Sequence, residues 1–380
     1  MKKVAIVDSY MSKFGRYPYK SIEDLVVEMS TRLAYPYRVN IDRLYVGNFG
    51  SGYFTGQIHL APIVARAMGL NPVPSATVEG ACASGSLALL QGIMAIMSGL
   101  SEMVLVVGVE KMTGMNREET TKGITMSAYP EEIEAGLNYP KIFARIAKNY
   151  FKEYGATREY LDQLIILNHG YASNNPKAHT RTTIEELAEK EGVGIEEFLA
   201  NDELNPIVEE PLRRYDCCPV SDGAAYIVLA SEEMVRELDL DPLWIRGFGQ
   251  GSCWSHVNGA IHFNSTKRAA REAFEMAILD PSEIDIAEIH DGFTIAEIIH
   301  IEDLGLMKEG KAYKELVNGN SIPVNVTGGL KCKGHPIGAT GIAQVHDIYN
   351  LMIREDHELG LCHGFGGTGG TSIVTIFERR

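Results

Sequence analysis

The stretch Thr77–Met94 constrains the fold of this chain more than any other. Two β-branched residues lead into Glu79-Gly80-Ala81-Cys82, small residues follow, and an apolar run then continues to Met94. This order predicts a strand, a tight turn and a helix packed on all sides, with Cys82 at or just before the first helical turn. Unpaired backbone N–H groups and the helix dipole at such a place favour a thiolate, the nucleophilic form of cysteine. From this stretch alone, an inert buried cysteine beside a close-packed helix is an equal alternative.

The chain alternates strand patterns with helix patterns around this stretch. Lys3–Asp8 and Leu44–Val46 are predicted strands, and Met103–Val109 is a continuous apolar run typical of a strand buried on both faces. Ser21–Ala34 and Ile58–Met68 carry helical spacing, the first behind a serine N-cap. This alternation predicts an α/β protein built in layers.

The composition changes between Thr113 and Pro211, where the chain becomes polar, charged and rich in tyrosine. Four helices are predicted there: Lys141–Tyr154, Thr157–Asn174, Thr183–Glu191 and Gly194–Leu199. Strand patterns return at Asp216–Ala230 and Leu243–Gly249. We therefore expect a mostly helical loop domain at about 113–211, inserted into a first half at 1–240 that precedes a second half at 241–380.

The second half repeats the order of patterns in the first. The corresponding stretches are Ile41–Phe49 with Ile284–Phe293, Thr77–Met94 with Gly328–Met352, and Met103–Glu110 with His357–Phe365. The offset is 243 residues for the first pair and 253 for the other two, counting Cys82 against His335 and Val109 against Cys362. An approximate internal duplication is therefore predicted. Duplicated α/β halves place equivalent loops at the carboxyl ends of their strands, where open sheets bind ligands.

The duplication predicts that four loops meet in one cleft, and these loops carry Cys82, His290, His335 and Cys362. A histidine beside a cysteine can take its proton and leave a thiolate–imidazolium pair. The glycines after Cys362 could offer backbone N–H groups to an oxyanion. Structural interpretations stay open for two of these residues, with His335 as a helix-cap histidine and His290 as a solvated turn residue.

Composition argues against several classes of function. The net charge of −15 disfavours nucleic acid or an anionic membrane as a partner. No apolar run approaches the roughly 20 residues that span a bilayer, and the N-terminal pattern is that of a first strand rather than a signal peptide. Six cysteines in 380 residues, without a signal, indicate a reducing compartment, so we expect a cytoplasmic enzyme.

Metal binding is a further alternative. Cys332 and His335 are spaced like half of a zinc site, and Cys217 and Cys218 are adjacent. No second pair with ligand spacing completes either set. The sequence therefore predicts no metal site.

Five motifs together resemble those of the thiolases, in the family's order and over nearly the whole chain. They are CASG around Cys82, SDGAA at Ser221–Ala225, HDGF at His290–Phe293, GHPIGATG at Gly334–Gly341 and CHG at Cys362–Gly364. The HDGF loop, Ser9–Arg16 and Pro211–Ala225 look like the sterol-carrier-protein type and its archaeal relatives. The chain departs from some members of that branch, because Gly292 stands where they have a cysteine and the second cysteine is Cys362.

The resemblance implies a thiolase fold, with two βαβαβαββ-type halves in a five-layered αβαβα core, and the activity of an acetyl-CoA C-acetyltransferase. It implies that Cys82 carries the acyl group, that His335 takes the Cys82 proton, and that Cys362 removes the α-proton of a second acetyl-CoA. Backbone N–H groups of Cys82 and Gly364 would form one oxyanion hole, and His290 and His335 would form the other. Coenzyme A is implied as a co-substrate, with no metal or redox cofactor.

The resemblance places much of the coenzyme A surface on the inserted segment. Its cations could meet the phosphates of coenzyme A, although a solvated helical face is the simpler interpretation for most of them. These cations are Lys122, Lys141, Arg145 and Lys148.

Other functions and assemblies stay open at this stage. One alternative is a degradative 3-ketoacyl-CoA thiolase of longer chains, and another is a condensing enzyme of the same fold, such as a hydroxymethylglutaryl-CoA synthase or ketoacyl synthase. A third is a non-catalytic lipid-binding or scaffold subunit. The resemblance further implies a homodimer or a dimer of dimers, a place in the mevalonate pathway, and a complex with hydroxymethylglutaryl-CoA synthase and a small OB-fold protein.

Overall fold

The computed structural model describes residues 2–70, 72–254 and 259–379. Its strands are β1 Val4–Met11, β2 Arg43–Gly47, β3 Ser75–Val78, β4 Met103–Glu110, β5 Ile207–Glu209, β6 Leu212–Arg213, β7 Gly223–Ser231, β8 Leu243–Gly251, β9 Ile286–Glu288, β10 Leu359–Gly366 and β11 Thr371–Glu378. The helices of the first half and its insertion are α1 Ile22–Ser30, α2 Tyr35–Asn40, α3 Ser51–Phe54, α4 Leu60–Ala67, α5 Ser84–Met97, α6 Arg117–Thr125, α7 Pro130–Glu134, α8 Tyr139–Tyr154, α9 Arg158–Ser173, α10 Ile184–Glu191, α11 Ile195–Ala200 and α12 Glu232–Glu237. Those that follow are α13 Asn264–Ala277, α14 Thr294–Asp303, α15 Ala312–Glu315, α16 Gly329–Lys333 and α17 Ile337–Glu355.

The strands of the described ranges form one mixed sheet of nine, in the order β3-β2-β4-β7-β1-β8-β11-β10-β9, beside the short pair β5 and β6. Within the first half, β2 pairs in parallel with β3 and β4, and β7 pairs antiparallel with β4 and β1. In the second half, β10 pairs in parallel with β9, and β11 pairs antiparallel with β10 and β8. In the sheet the two halves join through β1 and β8, at Ala5 opposite Trp244 and Ile6 opposite Leu243.

This strand order is symmetric about the β1–β8 contact, as an internal duplication requires. The stretches matched in the sequence lie in equivalent strands, since β2 corresponds to β9 and β4 to β10. In place of a partner equivalent to β3, the second half has one parallel bridge between Ala287 and Val324. The predicted duplicated α/β fold is confirmed, while the predicted boundary between residues 240 and 241 stays a prediction.

Three large apolar clusters separate the layers. The first lies between α1, α4 and the outer face of the first half, and it buries Leu25, Val64, Leu105 and Val107. The second surrounds α5 and α17, which lie between the two halves of the sheet. The third lies where α13 covers β8 and β11 and where inserted helices join the outer face of the second half. Helices therefore cover both outer faces and fill the middle, which gives the five layers.

Glycines let the first turns of α5 and α17 approach backbone to backbone. A Cβ added at Gly85 would lie 2.8 Å from the carbonyl oxygen of Gly338. A Cβ added at Gly338 would lie 2.7 Å from the carbonyl oxygens of Gly47 and Val109. Real Cβ atoms do not approach so closely, so side chains are excluded from this crossing. The crossing brings the N-termini of both central helices to the same edge of the sheet.

Most predicted elements are confirmed with small shifts at their ends. Ser21 caps α1 through a capping box with Asp24, and the four predicted inserted helices are α8 to α11. The predicted helix Ser21–Ala34 is wrong at its C-terminal end, because α1 stops at Ser30 and Pro36 lies in the first turn of the separate helix α2. The predicted strand Lys3–Asp8 continues to Met11 through a bulge between Ile6 and Asp8. No helix in the described ranges has the length and apolar composition that crossing a membrane requires.

Candidate active site

A cavity of about 400 Å³ opens where the two central helices begin. Three of the four predicted reactive residues, Cys82, His290 and His335, lie in its wall. The Cys82 Sγ and one ring nitrogen of each histidine all lie within 4.8 Å of one another. Much of the remaining wall is apolar and comes from the inserted helices and from the second half, including Ile124, Tyr139, Phe143, Phe293, Ala296 and Phe365.

Cys82 lies on a strained turn between β3 and α5. Ala81 has a φ of 52°, a left-handed conformation that residues other than glycine rarely adopt. A 3-10 helix at Ala81–Ala83 then leads directly into α5. The Ser84 hydroxyl holds the turn by accepting the Gly80 N–H at 3.0 Å and donating to the Ala81 carbonyl at 2.6 Å. The predicted place of Cys82 just before the first turn of α5 is confirmed.

The predicted thiolate character of Cys82 is not what the structure favours. Burial raises the pKa of the Cys82 thiol to about 12, although backbone N–H groups of Gly367 and of Cys82 itself act to lower it. The helix terminus thus offers the expected hydrogen bonds, but loss of solvation outweighs them. Cys82 is therefore a thiol at neutral pH and would need a base to react as a nucleophile.

His335 is oriented so that one nitrogen is available as that base. The Thr340 hydroxyl donates to the Pro336 carbonyl at 3.0 Å and lies 2.7 Å from His335 Nδ1. The hydroxyl proton is therefore already donated, so the Thr340 oxygen accepts a hydrogen bond from the Nδ1–H of His335. This tautomer leaves the lone pair on Nε2. Burial and the nearby charge of His290 hold the pKa of His335 well below its usual range, so the ring is neutral.

His290 differs from His335 because neither of its ring nitrogens has a hydrogen-bond partner among the described residues. Its ring centroid is 5.2 Å from that of His335, with the two rings at 86°, and 5.8 Å from that of Phe365. Burial lowers the pKa of His290 to about 4. An unpaired, buried polar group is costly unless something else satisfies it. A substrate oxygen in the cavity would supply that partner.

Buried ion pairs support the loops that carry the two histidines. Lys331 Nζ lies 2.6 Å from Glu297 and 3.5 Å from Asp291, whose other oxygen accepts the Leu330 N–H at 2.6 Å. Burial raises the pKa of Asp291 to about 6, against the opposing effect of Lys331. A second set joins Lys333 to Glu288 at 3.2 Å and to Asp347. These buried ion pairs fix the positions of the two histidine loops, and Lys331 also reaches the cavity wall.

Cys362 does not join the other three reactive residues. It lies in β10, opposite Thr375 of β11 and beside Glu288 of β9, and its side chain is buried in the central apolar cluster. It does not appear among the described residues that line the cavity. Burial, together with the charge of Glu288, raises the pKa of the Cys362 thiol well above its usual range. The expectation that four loop residues share one cleft therefore holds for three of them.

Gly364 is also displaced from its expected place. It lies inside β10 opposite Ile373, and a Cβ there would meet the Ser86 side chain. Gly367, just after the strand, lines the cavity and directs its N–H towards the Cys82 thiol. The sequence showed a run of glycines here, but choosing the donor among them requires the register of β10 and β11.

A short segment before β7 contributes wall residues that the sequence did not assign to the site. Cys217, Cys218 and Val220 all line the cavity. The backbone of this segment bridges to both histidine loops, through Cys217 with Phe293 and Val220 with His335. The adjacent cysteines were the available signal, but these long-range bridges are not visible in the sequence.

The cluster of Cys82, His290 and His335 also has donor types that bind zinc. The two neutral histidines and the thiol give this cluster no net charge. The predicted absence of a metal site stays a prediction.

Comparison with known proteins adds to this geometry. The chain matches the family described as "Thiolase, N-terminal domain" over residues 4–233 and "Thiolase C-terminal domain-like" over residues 253–379. It is 38% identical to an acetyl-CoA acetyltransferase of Methanothermobacter thermautotrophicus, with all of both chains covered. It is 36% identical to an acetyl-CoA acetyltransferase of Methanocaldococcus jannaschii, over 100% of this chain and 99% of the relative. A solved structure titled "Ltp2-ChsH2(DUF35) aldolase" has a TM-score of 0.79 at 22% identity, covering 99% of this chain and 98% of that one.

Proposed function

Because this chain belongs to the thiolase family of acyltransferases, we propose that it is an acetyl-CoA C-acetyltransferase that joins two acetyl-CoA molecules into acetoacetyl-CoA and coenzyme A. The observation that carries the proposal is the contact between the Cys82 thiol and two neutral histidines in one cavity, of which His335 has a fixed tautomer. Relatives at 36 and 38% identity named acetyl-CoA acetyltransferases support this choice of substrate.

Acyl transfer to Cys82 is the first half of the proposed reaction. His335 Nε2 takes the Cys82 proton as Sγ attacks the thioester carbon, and coenzyme A leaves with that proton. Backbone N–H groups of Cys82 and Gly367 stabilise the tetrahedral oxyanion, and each donor contributes about 3 kcal/mol. Gly367 replaces Gly364 in this role because it is the glycine whose N–H reaches Cys82.

Condensation is the second half. A second acetyl-CoA loses a proton from its α-carbon to a base in the cavity, from which a proton later returns to the departing Cys82 thiolate, and the resulting enolate oxygen receives a hydrogen bond from His290. The unpartnered ring of His290 supports this assignment, since a neutral imidazole offers one N–H. The carbanion then attacks acetyl-Cys82 and releases acetoacetyl-CoA. The prediction that Cys362 removes the α-proton receives no support from its place in the core.

Two arginines are better placed for coenzyme A than the cations chosen from the sequence. Arg117 and Arg214 line the cavity. In contrast, Lys141 donates to the Gly136 carbonyl at 3.0 Å on the surface of the inserted segment. We assign the two arginines to the diphosphate, because guanidinium groups bind phosphate in a bidentate manner.

The wider setting rests on the resemblance. Cytoplasmic location, a place in the mevalonate pathway, a homodimer or dimer of dimers, and a complex with hydroxymethylglutaryl-CoA synthase and a small OB-fold protein all stay part of the proposal. A 3-ketoacyl-CoA thiolase of longer chains is the second candidate, favoured by the apolar wall around Phe143 and Phe293, whose rings stack at 4.5 Å.

The test is a coupled assay for coenzyme A release from acetyl-CoA alone, beside thiolysis of acetoacetyl-CoA and of a medium-chain 3-ketoacyl-CoA. The proposal expects release from acetyl-CoA and a preference for acetoacetyl-CoA in thiolysis. A preference of about tenfold or more for the longer chain would support the second candidate. No turnover with any of the three would contradict both candidates.

A further inference from the structure

Cys218 shares the cavity wall with Cys82, His290 and His335, and the proposed reaction gives it no role. Its backbone N–H donates to the Gly292 carbonyl at 3.0 Å, which fixes it beside the loop of His290. A Cβ added at Gly292 would lie 4.0 Å from Cys218 Sγ and 3.1 Å from His290 Cε1. The thiol of Cys218 therefore lies beside the space that the missing side chain of Gly292 leaves next to His290.

The segment that carries Cys218 is held at both ends by the histidine loops. Cys217 bridges to Phe293 on one side, and Val220 bridges to His335 on the other. The Ser221 hydroxyl also accepts the backbone N–H of His335 at 3.3 Å. Cys218 thus lies on a segment whose backbone is joined both to the loop of the group proposed to bind the enolate and to the loop of the group proposed to move protons.

The other cysteines near the site are placed differently. The Cys217 thiol donates to the Arg213 carbonyl at 3.6 Å, so it is engaged with the backbone of its own segment. Cys362 lies in the apolar core between the two halves of the sheet. Cys218 is therefore the better placed of these thiols to meet a substrate beside Cys82.

We propose that Cys218 is a catalytic residue that exchanges a proton with the α-carbon of the second acetyl-CoA, an inference that rests on the proposed function. In the thiolysis direction, the Cys82 thiolate attacks the keto carbon of acetoacetyl-CoA after His335 has taken its proton. The bond between the keto carbon and the α-carbon breaks, and its electron pair enters the thioester enolate. The Cys218 thiol gives its proton to the α-carbon, which releases acetyl-CoA.

The remaining steps restore the enzyme. His335 returns the proton that it took from Cys82 to the Cys218 thiolate. His335 then takes the proton of incoming coenzyme A, whose thiolate attacks acetyl-Cys82. The departing Cys82 thiolate recovers that proton, and the second acetyl-CoA leaves. Condensation is the reverse, so Cys218 first passes its proton to His335 and then accepts one from the α-carbon.

The electrostatic surroundings of Cys218 agree with a protonated resting state. Burial raises the pKa of its thiol well above the usual range, and the neighbouring side chains of Cys217, Cys82 and Asp291 raise this pKa further. A thiol rather than a thiolate is the form that the thiolysis direction requires first.

Exchange of the acetyl-CoA methyl protons in D₂O tests this role apart from acyl transfer. Nuclear magnetic resonance measures the exchange, and mass spectrometry measures acetylation of Cys82 in the same sample. In Cys218→Ala we expect exchange to fall about 100-fold or more, the usual scale for a lost acid or base. Acetylation of Cys82 should stay within about threefold of the wild-type rate, because that step does not use Cys218. Cys253→Ala is the control, because Cys253 is not among the described residues that line the cavity and its thiol donates to the Gly369 carbonyl at 3.1 Å, and it should leave both rates within about threefold.

Cys218→Ser nearly keeps the size of the side chain, so it provides a second variant in case Cys218→Ala does not fold. It should lose exchange as Cys218→Ala does, because a hydroxyl is a far weaker acid and base at neutral pH. Unchanged exchange in both variants, or equal loss of acetylation and exchange, would overturn the inference. Loss of exchange in Cys362→Ala with retention in Cys218→Ala would assign the role to Cys362. Failure of the wild-type protein to acetylate Cys82 would contradict the proposed function instead.

Discussion

The Cys82 turn and the His335 turn occupy equivalent places at the starts of α5 and α17, but they are held in different ways. The Cys82 turn has local support from Ser84 and Glu79, whose carboxylate accepts the Ala81 N–H at 2.6 Å. The His335 turn rests on buried ion pairs of Lys331 and Lys333 and on the hydroxyl of Thr340. The two halves therefore repeat one arrangement of turn and helix, but the Cys82 thiol is held by contacts within its own turn and the His335 ring by contacts with buried neighbours.

This difference in support agrees with the roles proposed for the two groups. A thiol attacks through a single atom, so a tight turn that exposes Sγ is sufficient. An imidazole must present one chosen nitrogen with its lone pair free, so its tautomer and its ring plane both need partners. We therefore expect changes at the Cys82 turn to affect mainly the nucleophile itself, and changes around the His335 turn to affect proton transfer through neighbours.

The largest expected effect is the loss of the nucleophile. Cys82→Ser should reduce acylation below detection, because a hydroxyl is a much weaker nucleophile than a sulfur at neutral pH. Mass spectrometry after incubation with acetyl-CoA should show an adduct on Cys82 of the wild-type protein and none on the variant. An acetyl adduct on Cys362 would reverse the comparison, since the reactive sulfur would then lie in the second half.

The pH dependence of Cys82 alkylation distinguishes a neutral Cys82 thiol from a Cys82 thiolate paired with protonated His335 in the resting protein. With the pKa of Cys82 at about 12, the thiolate fraction rises about tenfold with each pH unit between about pH 6 and 9. The rate of inactivation by iodoacetamide should therefore rise about 1000-fold over that range, without a plateau. A plateau below about pH 7 would mean that His335 already holds the Cys82 proton, as first expected from the sequence.

Substitution of His290 tests the condensation step separately, because we expect it to leave the Cys82 turn and the His335 turn unchanged. His290→Ala should lower condensation and thiolysis about 100-fold, through the loss of one hydrogen-bond donor to the enolate. Acetylation of Cys82 should stay within a few-fold, and His290→Asn should recover part of the rate by recruiting a water. Equal slowing of acetylation in His290→Ala would mean that the residue supports Cys82 instead, and rapid-quench measurement of both steps distinguishes the two results.

Thr340 tests how far the support of the His335 turn controls chemistry. Thr340→Val keeps the shape of the side chain but removes the acceptor for Nδ1–H, so both ring tautomers become accessible. We expect acetylation of Cys82 to slow about tenfold, the lower end for loss of a group that orients a histidine. Thr340→Ser retains the hydroxyl and should stay near the wild-type rate. Equal rates in both variants would show that the tautomer is set by other contacts.

The smallest effects are on stability and concern the left-handed residue in each turn. Ala81→Gly removes a strained φ of 52° and should raise the free energy of unfolding by up to about 1 kcal/mol. Gly334→Ala should lower it by about 2 kcal/mol or more, since φ is 103° and the new Cβ would lie 2.7 Å from Ser221 Oγ. Urea denaturation of both variants provides the measurement, and effects of the same sign would contradict the assigned strain.

The sequence predicted those parts of the site that depend on local patterns. Cys82 and His335 each precede a helix after small residues, so their places could be inferred from glycines and apolar spacing. Cys218 and Gly367 could not be found in this way, because one depends on bridges to distant loops and the other on the register of β10 and β11. Cys362 is the opposite case, since a motif resemblance suggested a catalytic role that its place in the apolar core does not support.

The close glycine crossing of α5 and α17 determines which wall of the cavity can move. The Glu110 carboxylate accepts N–H groups of both Phe49 and Gly338, at 2.9 Å each, so the crossing is also joined by hydrogen bonds. Both reactive turns should therefore open only with global unfolding and show slow amide hydrogen exchange. Movement of the cavity wall is then expected on the opposite side, where α6 contributes Arg117 and Thr121 to the lining. Fast exchange in α6 that slows when acetyl-CoA binds would identify this helix as the moving part.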